Sequence, residues 1–230
     1  MINTYYIGGS PCSGKSTIAE IVSKKYNLYY FKVDDFLDKY TRMGASKGYE
    51  ICKKQECMKA EEIWMREPLL QCKEELAFYE EIFEFVLADL EKIEAKGIIT
   101  EGAAYLPKLM KKLSVSKDRY LAITPAKDFQ ISHYKKREWM PYVLEGCSDK
   151  EKAFSNWMNR DILFAREVQR QCNEEQYVSI INDGGIELDE LVDIVTSHLG
   201  LGDWYGKKEK RAYCIWPNVE TQKEYSLFDG

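Results

Sequence analysis

The chain has 230 residues, 45% hydrophobic and 31% charged, a balance that suits one core-forming domain and excludes a disordered or fibrous polypeptide. Its net charge of −5, with no long basic block, argues against a nucleic-acid-binding surface but leaves room for a local nucleotide site. Seven cysteines without a C-x-x-C pair, no apolar leader stretch and no run long enough to cross a bilayer point to a reduced, cytoplasmic protein with no membrane partner.

Thr4-Tyr5-Tyr6-Ile7 is β-branched and aromatic and reads as a strand. It runs into Gly9-Ser10-Pro11-Cys12-Ser13-Gly14-Lys15-Ser16, the G-x-x-x-x-G-K-S pattern of a phosphate-binding loop. Ser16 to Val22 then reads as a helix with Ile18, Ile21 and Val22 on one face, so strand, glycine loop and helix follow in the required order. A loop that wraps phosphate oxygens must bring backbone N–H groups within hydrogen-bond reach, which explains the glycines. Gly9, Ser10, Pro11, Cys12, Ser13, Gly14, Lys15, Ser16 and Thr17 are the candidates to hold ATP. Lys15 supplies a mobile charge for the β- and γ-phosphates and Ser16 a hydroxyl ligand for Mg²⁺. Cys12 reads as a small loop-filling residue.

Leu28 to Val33 reads as the second strand, ending in Asp34-Asp35. Ligand groups in an open parallel α/β sheet gather at the carboxyl ends of strands, so this pair shares an edge with the loop. One aspartate would take the proton from an acceptor hydroxyl, and the other would hold a Mg²⁺-bound water or orient the acceptor. The competing reading is a solvated turn capping the next helix. Residues 41–59 contain Gly44 and Gly48 and read as a loop, part of an acceptor site. Glu61 to Trp64 looks helical and Pro68 marks a new start. From Leu69 to Ala95, apolar residues such as Tyr79, Phe83, Val86 and Leu90 recur at helical spacing. Arg66 and the acids near Tyr79 are candidates to line an acceptor pocket.

Gly97 to Thr100 reads as a short buried strand ending in Glu101, a second acid at a strand's carboxyl end and a candidate Mg²⁺ ligand with Ser16 and Asp34. Arg119 to Ile123 is a fourth strand, stopped by Pro125. A helix is expected over Asp128 to Trp139, a flap over Tyr142 to Lys152, and a second helix over Phe154 to Gln171. Arg137 and Arg160 flank the flap. Phosphoryl transfer spreads negative charge over the moving group, and cations arriving from a closing lid would neutralise it and exclude water. The alternative is an ordinary charged helix face. Tyr177 to Ile181 is the fifth strand, and the Asn182-Asp183-Gly184-Gly185 loop after it would edge the base, with Asp183 the candidate contact. A helix with Leu188, Leu191, Val192, Val195 and Leu199 closes the core. His133 and His198 read as structural.

Five strands alternating with helices predict an α/β P-loop NTPase fold: a five-stranded parallel sheet with helices on both faces, a helical acceptor insert and a lid. Residues 1–202 form the expected kinase domain, with the insert at about 41–95 and the lid at about 137–160; residues 203–230 read as an extension packed on or beside the core. N-K-x-D and L-S-G-G-Q, signatures of guanine-reading GTPases and of transport ATPases, are both absent, which favours transfer over hydrolysis.

Together the phosphate loop, Val33-Asp34-Asp35, Glu101-Gly102, the Arg137-to-Arg160 segment with Asn159-Arg160-Asp161 and Asn182-Asp183-Gly184 resemble the P-loop kinases of the nucleoside-monophosphate-kinase-like group. The style is that of small-molecule kinases such as chloramphenicol phosphotransferase, nicotinamide riboside kinase and zeta toxin. The resemblance implies transfer of the γ-phosphoryl group of ATP to a hydroxyl of a small molecule, with Asp34 or Asp35 as base. It also implies that Arg160, with Arg166 or Arg170, contacts the phosphates as paired lid arginines do. The chain departs from adenylate and thymidylate kinases, because the insert shows no clear monophosphate-binding arginine motif.

Overall fold

The computed structural model describes residues 3–202; the extension expected at 203–230 lies outside the described residues. Five strands, β1 (Asn3–Gly9), β2 (Tyr29–Lys32), β3 (Gly97–Glu101), β4 (Tyr120–Pro125) and β5 (Val178–Asn182), pair in parallel in the order β2-β3-β1-β4-β5. Successive side chains in a strand point to opposite faces, so the central strands feed two cores. Ile99, Leu121 and Ile123 pack with Ile18 and Val22 of helix α1 (Lys15–Tyr26) and with Leu191 and Val195 of a C-terminal helix over Leu188–His198. Their neighbours Ile98, Tyr120 and Ala122 face the larger core on the other side.

That larger core is built on the long segment between β2 and β3. After a single 3-10 turn over Val33–Phe36 come helices α2 (Leu37–Lys47), α3 (Glu50–Cys57), α4 (Ala60–Trp64) and α5 (Pro68–Leu90). The loop expected at residues 41–59 is therefore two helices. Gly44 misled that expectation: it sits inside α2 because a Cβ there would lie 2.4 Å from Cys52 Sγ, so glycine serves close helix packing. Gly48 is the actual turn, at φ +99° in the left-handed cap of α2. Pro68 opens α5 as its first residue, where its missing N–H costs nothing, and the helix stops at Leu90 rather than Ala95.

Helix α6 (Pro107–Lys112) precedes β4, and α7 (Lys127–Lys135) follows it. Here α7 ends four residues earlier than the expected Trp139, because the chain turns back to pack Trp139 against Tyr134 and Trp157. The segment expected as a flap is a short helix, α8 (Met140–Val143), and a turn whose Leu144 and Cys147 are buried. Helix α9 (Lys150–Glu175) starts with Asp149 as its cap, the carboxylate accepting from the Lys152 amide, and lies along α5. The helix over Leu188–His198 is α10. Among the described residues no helix is long and apolar enough to cross a membrane.

Candidate active site

The phosphate loop leaves β1 at Gly9, whose φ of +121° belongs to glycine and whose Cβ, if present, would lie 1.9 Å from the Ile123 carbonyl oxygen. Cys12 also adopts a left-handed φ of +63°. Gly14 caps α1 without any side-chain hydrogen bond, and the first turn of α1 holds no acid. The first-turn amides thus face the loop uncapped, at the positive end of a twelve-residue helix. Ser10 Oγ and Ser13 Oγ are buried with no hydrogen-bond partner among the described residues. These unspent groups around a tight concave loop fit the phosphates of ATP.

Lys15 is buried; its Nζ donates to the Ser10 carbonyl at 3.2 Å and stands 4.0 Å from Glu101 Oε2. Glu101 closes β3, in register with Ile7 on one side and Lys32 on the other, and is fully buried. Its Oε1 accepts from the Tyr30 hydroxyl at 3.1 Å, Ser16 hydrogen-bonds the same carboxyl, and Oε2 has no hydrogen-bond partner. Burial pushes the Glu101 carboxyl up. The charge of Asp34 adds to that, while Lys15 and the two hydrogen bonds oppose it. Ser16, Glu101 and Asp34 are hard oxygen donors gathered at one sheet edge, with one carboxylate oxygen unspent, and this set fits Mg²⁺.

The 3-10 turn separates the two aspartates, which the sequence did not. Asp35 forms an ion pair with Lys32 at 3.1 Å, both at the surface. Asp34 is exposed, and its charge helps push up both the Glu101 carboxyl and the Tyr79 hydroxyl. Tyr79 in turn hydrogen-bonds Glu75 on α5.

Glu75 belongs to the wall of an open cavity of about 430 Å³ lined by residues of α2, α3, α4, α5 and α9. Arg66, expected near an acceptor, lines it, paired with Glu74. Arg160 lines it too. Its Nη1 donates to Glu75 Oε2 at 3.0 Å, its Nε lies 2.6 Å from Asp161 Oδ1, and its guanidinium stands 5.2 Å from the Trp64 ring centre. Arg160 therefore sits inside, between cavity and core, and not on the flap. Trp64 stacks on Trp157 at 4.7 Å, so α4, α9 and the α8 segment share one aromatic cluster.

Arg137 does reach the loop. It is exposed, with its guanidinium 5.3 Å from the Tyr134 and Trp139 ring centres and its Nη2 3.8 Å from Cys12 Sγ. Burial pushes the Cys12 thiol up, against the pull of Arg137, which leaves it a thiol that fills the loop. Arg166 is exposed six residues after Arg160, and so on a different face of α9. Arg170 is held by Glu167 at 2.7 Å and by Glu174. Asp183 turns its Oδ1 onto its own Gly185 amide at 2.8 Å. It is Asn182 that contacts the loop, its Nδ2 donating to the Ser13 carbonyl at 3.0 Å while its Oδ1 accepts from Gly184 N.

Sequence reasoning thus missed Tyr30 and Gln71, gave Asp161 no role of its own, and took Asp183 before Asn182. Asn182 had a signal: it is the last residue of an apolar strand, on the ligand edge. Nothing distinguishes Tyr30 from Tyr29 until the register of β2 on β3 is known. Both histidines are structural, His133 Nδ1 on the Phe129 carbonyl and His198 Nε2 on the Tyr120 carbonyl.

No family model matches the chain, and no curated protein does. Among solved structures the chain is similar to shikimate kinase from Bacteroides thetaiotaomicron, with a TM-score of 0.50 at 15% identity, covering 87% of this chain and all of that one. It is also similar to shikimate kinase from Aquifex aeolicus, with a TM-score of 0.40 at 22% identity over 86% of this chain and 96% of that one. At 15% identity the first of these likenesses shows the fold alone, that of a P-loop NTPase.

Proposed function

We propose that this chain is an ATP-dependent phosphotransferase that moves the γ-phosphoryl group to a hydroxyl of a small molecule seated in the insert cavity. The observation that carries this reading is the position of Asp34. It stands in the 3-10 turn two residues beyond Lys32, which pairs with Glu101 in the sheet, and that turn leads into α2, whose Asp38, Thr41 and Arg42 line the cavity. A carboxylate between a phosphate loop and a walled cavity is where a transfer reaction needs its base.

The loop amides and Lys15 hold the β- and γ-phosphates. Ser16 and Glu101, with Asp34 beside them, would hold Mg²⁺, which supplies positive charge against the phosphate oxygens. Asp34 accepts the proton of the acceptor hydroxyl as its oxygen bonds to the γ-phosphorus; the bond from that phosphorus to the bridging oxygen breaks and ADP leaves. Arg137, held over the loop by two aromatic rings, faces the charge that develops there. Asn182 keeps the loop in shape through the Ser13 carbonyl. Arg160 acts on the acceptor side, by shaping the cavity.

The test is ADP release from Mg²⁺-ATP with a panel of hydroxyl compounds, with Lys15→Ala and Asp34→Asn run alongside. Acceptor-dependent release that both variants lose supports the reading. Release that ignores every acceptor and survives Asp34→Asn would mean a hydrolase instead.

A further inference from the structure

The charge of the cavity wall is informative about what enters it. Four carboxylates, Asp38, Glu56, Glu74 and Glu75, face three guanidiniums, Arg42, Arg66 and Arg160. The two inner guanidiniums are already engaged: Arg66 by Glu74, and Arg160 by Glu75 and the buried Asp161. Burial pushes the Glu74 carboxyl up, but Lys54 and Arg66 more than reverse this, so it stays ionised below the usual carboxylate range. An incoming phosphate or carboxylate would have to displace these acids to reach Arg66 or Arg160; Arg42 alone of the three forms no ion pair among the described residues, and it stands with Asp38 and Glu56 in a wall that is net negative.

At the outer wall the balance is different. Asp38 on α2 and Glu56 on α3 are exposed and form no ion pair among the described residues, and Arg42 is the one cation beside them in that wall. A second observation points the same way. Gln71, only 3% exposed, lines the cavity, and its Nε2 is committed to the Arg66 carbonyl at 2.7 Å. Its Oε1 is then fixed as an acceptor, and it is buried with no partner. Unpaired carboxylates and an orphaned amide oxygen both ask for hydrogen-bond donors.

We infer that the acceptor is a hydroxylated amine, its ammonium recognised by Asp38 and Glu56 and a further donor by Gln71, and that it carries no phosphate or carboxylate. This rests on the phosphotransferase reading, because it names what the base of that reaction deprotonates. The hydroxyl is what receives the phosphoryl group; the ammonium only binds.

The experiment is acceptor-stimulated ADP release over a library of small hydroxylated compounds sorted by charge. The sets are amines such as glucosamine and aminocyclitols, neutral polyols and nucleosides, and anions such as sugar phosphates, nucleotides and hydroxy acids. The expected result is stimulation by members of the amine set, with Asp38→Asn and Glu56→Gln each raising KM for the amine about tenfold, as loss of one charge-assisted contact does, and leaving KM for ATP in place. Both acids are exposed, so neither variant threatens folding. Stimulation by the neutral or anionic sets without the amines overturns the inference and leaves the phosphotransferase standing. So does an amine KM that both variants leave unchanged. No stimulation by any set, with ATP still bound, overturns the phosphotransferase reading and the inference with it.

Discussion

Tyr30 donates its hydroxyl to Glu101 Oε1 at 3.1 Å, joining the edge strand β2 to the acid proposed to face Mg²⁺. That bond is one of the interactions holding the Glu101 carboxyl down against its own burial and the charge of Asp34. Tyr30→Phe removes it and leaves a buried oxygen short of a donor, at a cost of about 1–3 kcal/mol in stability. The Glu101 carboxyl then rises further, so the acidic limb of the pH–rate profile moves to higher pH. A denaturation series and a pH profile of the variant check both.

Glu101→Gln separates stability from activity. A carboxyl whose folded pKa is raised binds more protons folded than unfolded, so it costs stability as pH climbs from the unfolded towards the folded value. Glutamine removes that cost. The variant is expected to lose less stability than the parent across that window, while Mg²⁺-dependent turnover falls by about 10²-fold or more. Melting temperatures from pH 4 to pH 8, set beside turnover, measure the pair of effects.

Asp34 and Asp35 are adjacent, yet they should respond differently to the same change. Asp34→Asn removes the proposed base and is expected to lower kcat by about 10²–10⁴-fold with ATP affinity retained. Asp35→Asn breaks a surface pair with Lys32, worth about 0–1 kcal/mol, and should leave kcat near that of the parent. Equal losses in the two would argue against the division of roles drawn from the 3-10 turn.

Gly44→Ala tests why the insert was hard to read. Alanine should favour helix α2 by about 1 kcal/mol, but its Cβ would press on the buried Cys52 Sγ at 2.4 Å, and overpacking costs about 1–3 kcal/mol. A net loss of stability is expected, visible as a lower melting temperature.

These residues show where the sequence was legible. The sheet and the phosphate loop were, because strand periodicity and the G-x-x-x-x-G-K-S spacing are local patterns whose cause lies within a few residues. So was the edge on which Asp34, Glu101 and Asn182 lie, since strand ends carry the site. The insert was not, because Gly44 is a contact with Cys52 eight residues on, and a glycine signals a turn equally well. Arg160 was taken for a lid cation because its position after the flap is visible in sequence. Its ion pair with Glu75, 85 positions away, is not.

The flap is tied to the cavity by a link that pH should loosen. Glu61 of α4 accepts from the Ser148 backbone N–H and hydroxyl, each at 2.7 Å, and those two bonds hold its carboxyl below the usual range. Asn156 adds a bond from α9 to the Trp64 carbonyl at 3.0 Å. A depressed carboxyl contributes stability above its unfolded pKa and loses it as pH falls through the folded value. The segment over residues 140–149 should therefore be protected from hydrogen exchange at neutral pH and lose protection in acid, before the sheet does. Glu61→Ala should abolish that protection at neutral pH. It should also raise KM for the acceptor more than KM for ATP, because α4 forms part of the cavity wall and the phosphate loop does not. Protection of 140–149 that is unchanged in Glu61→Ala would mean the aromatic cluster around Trp157 alone holds the flap.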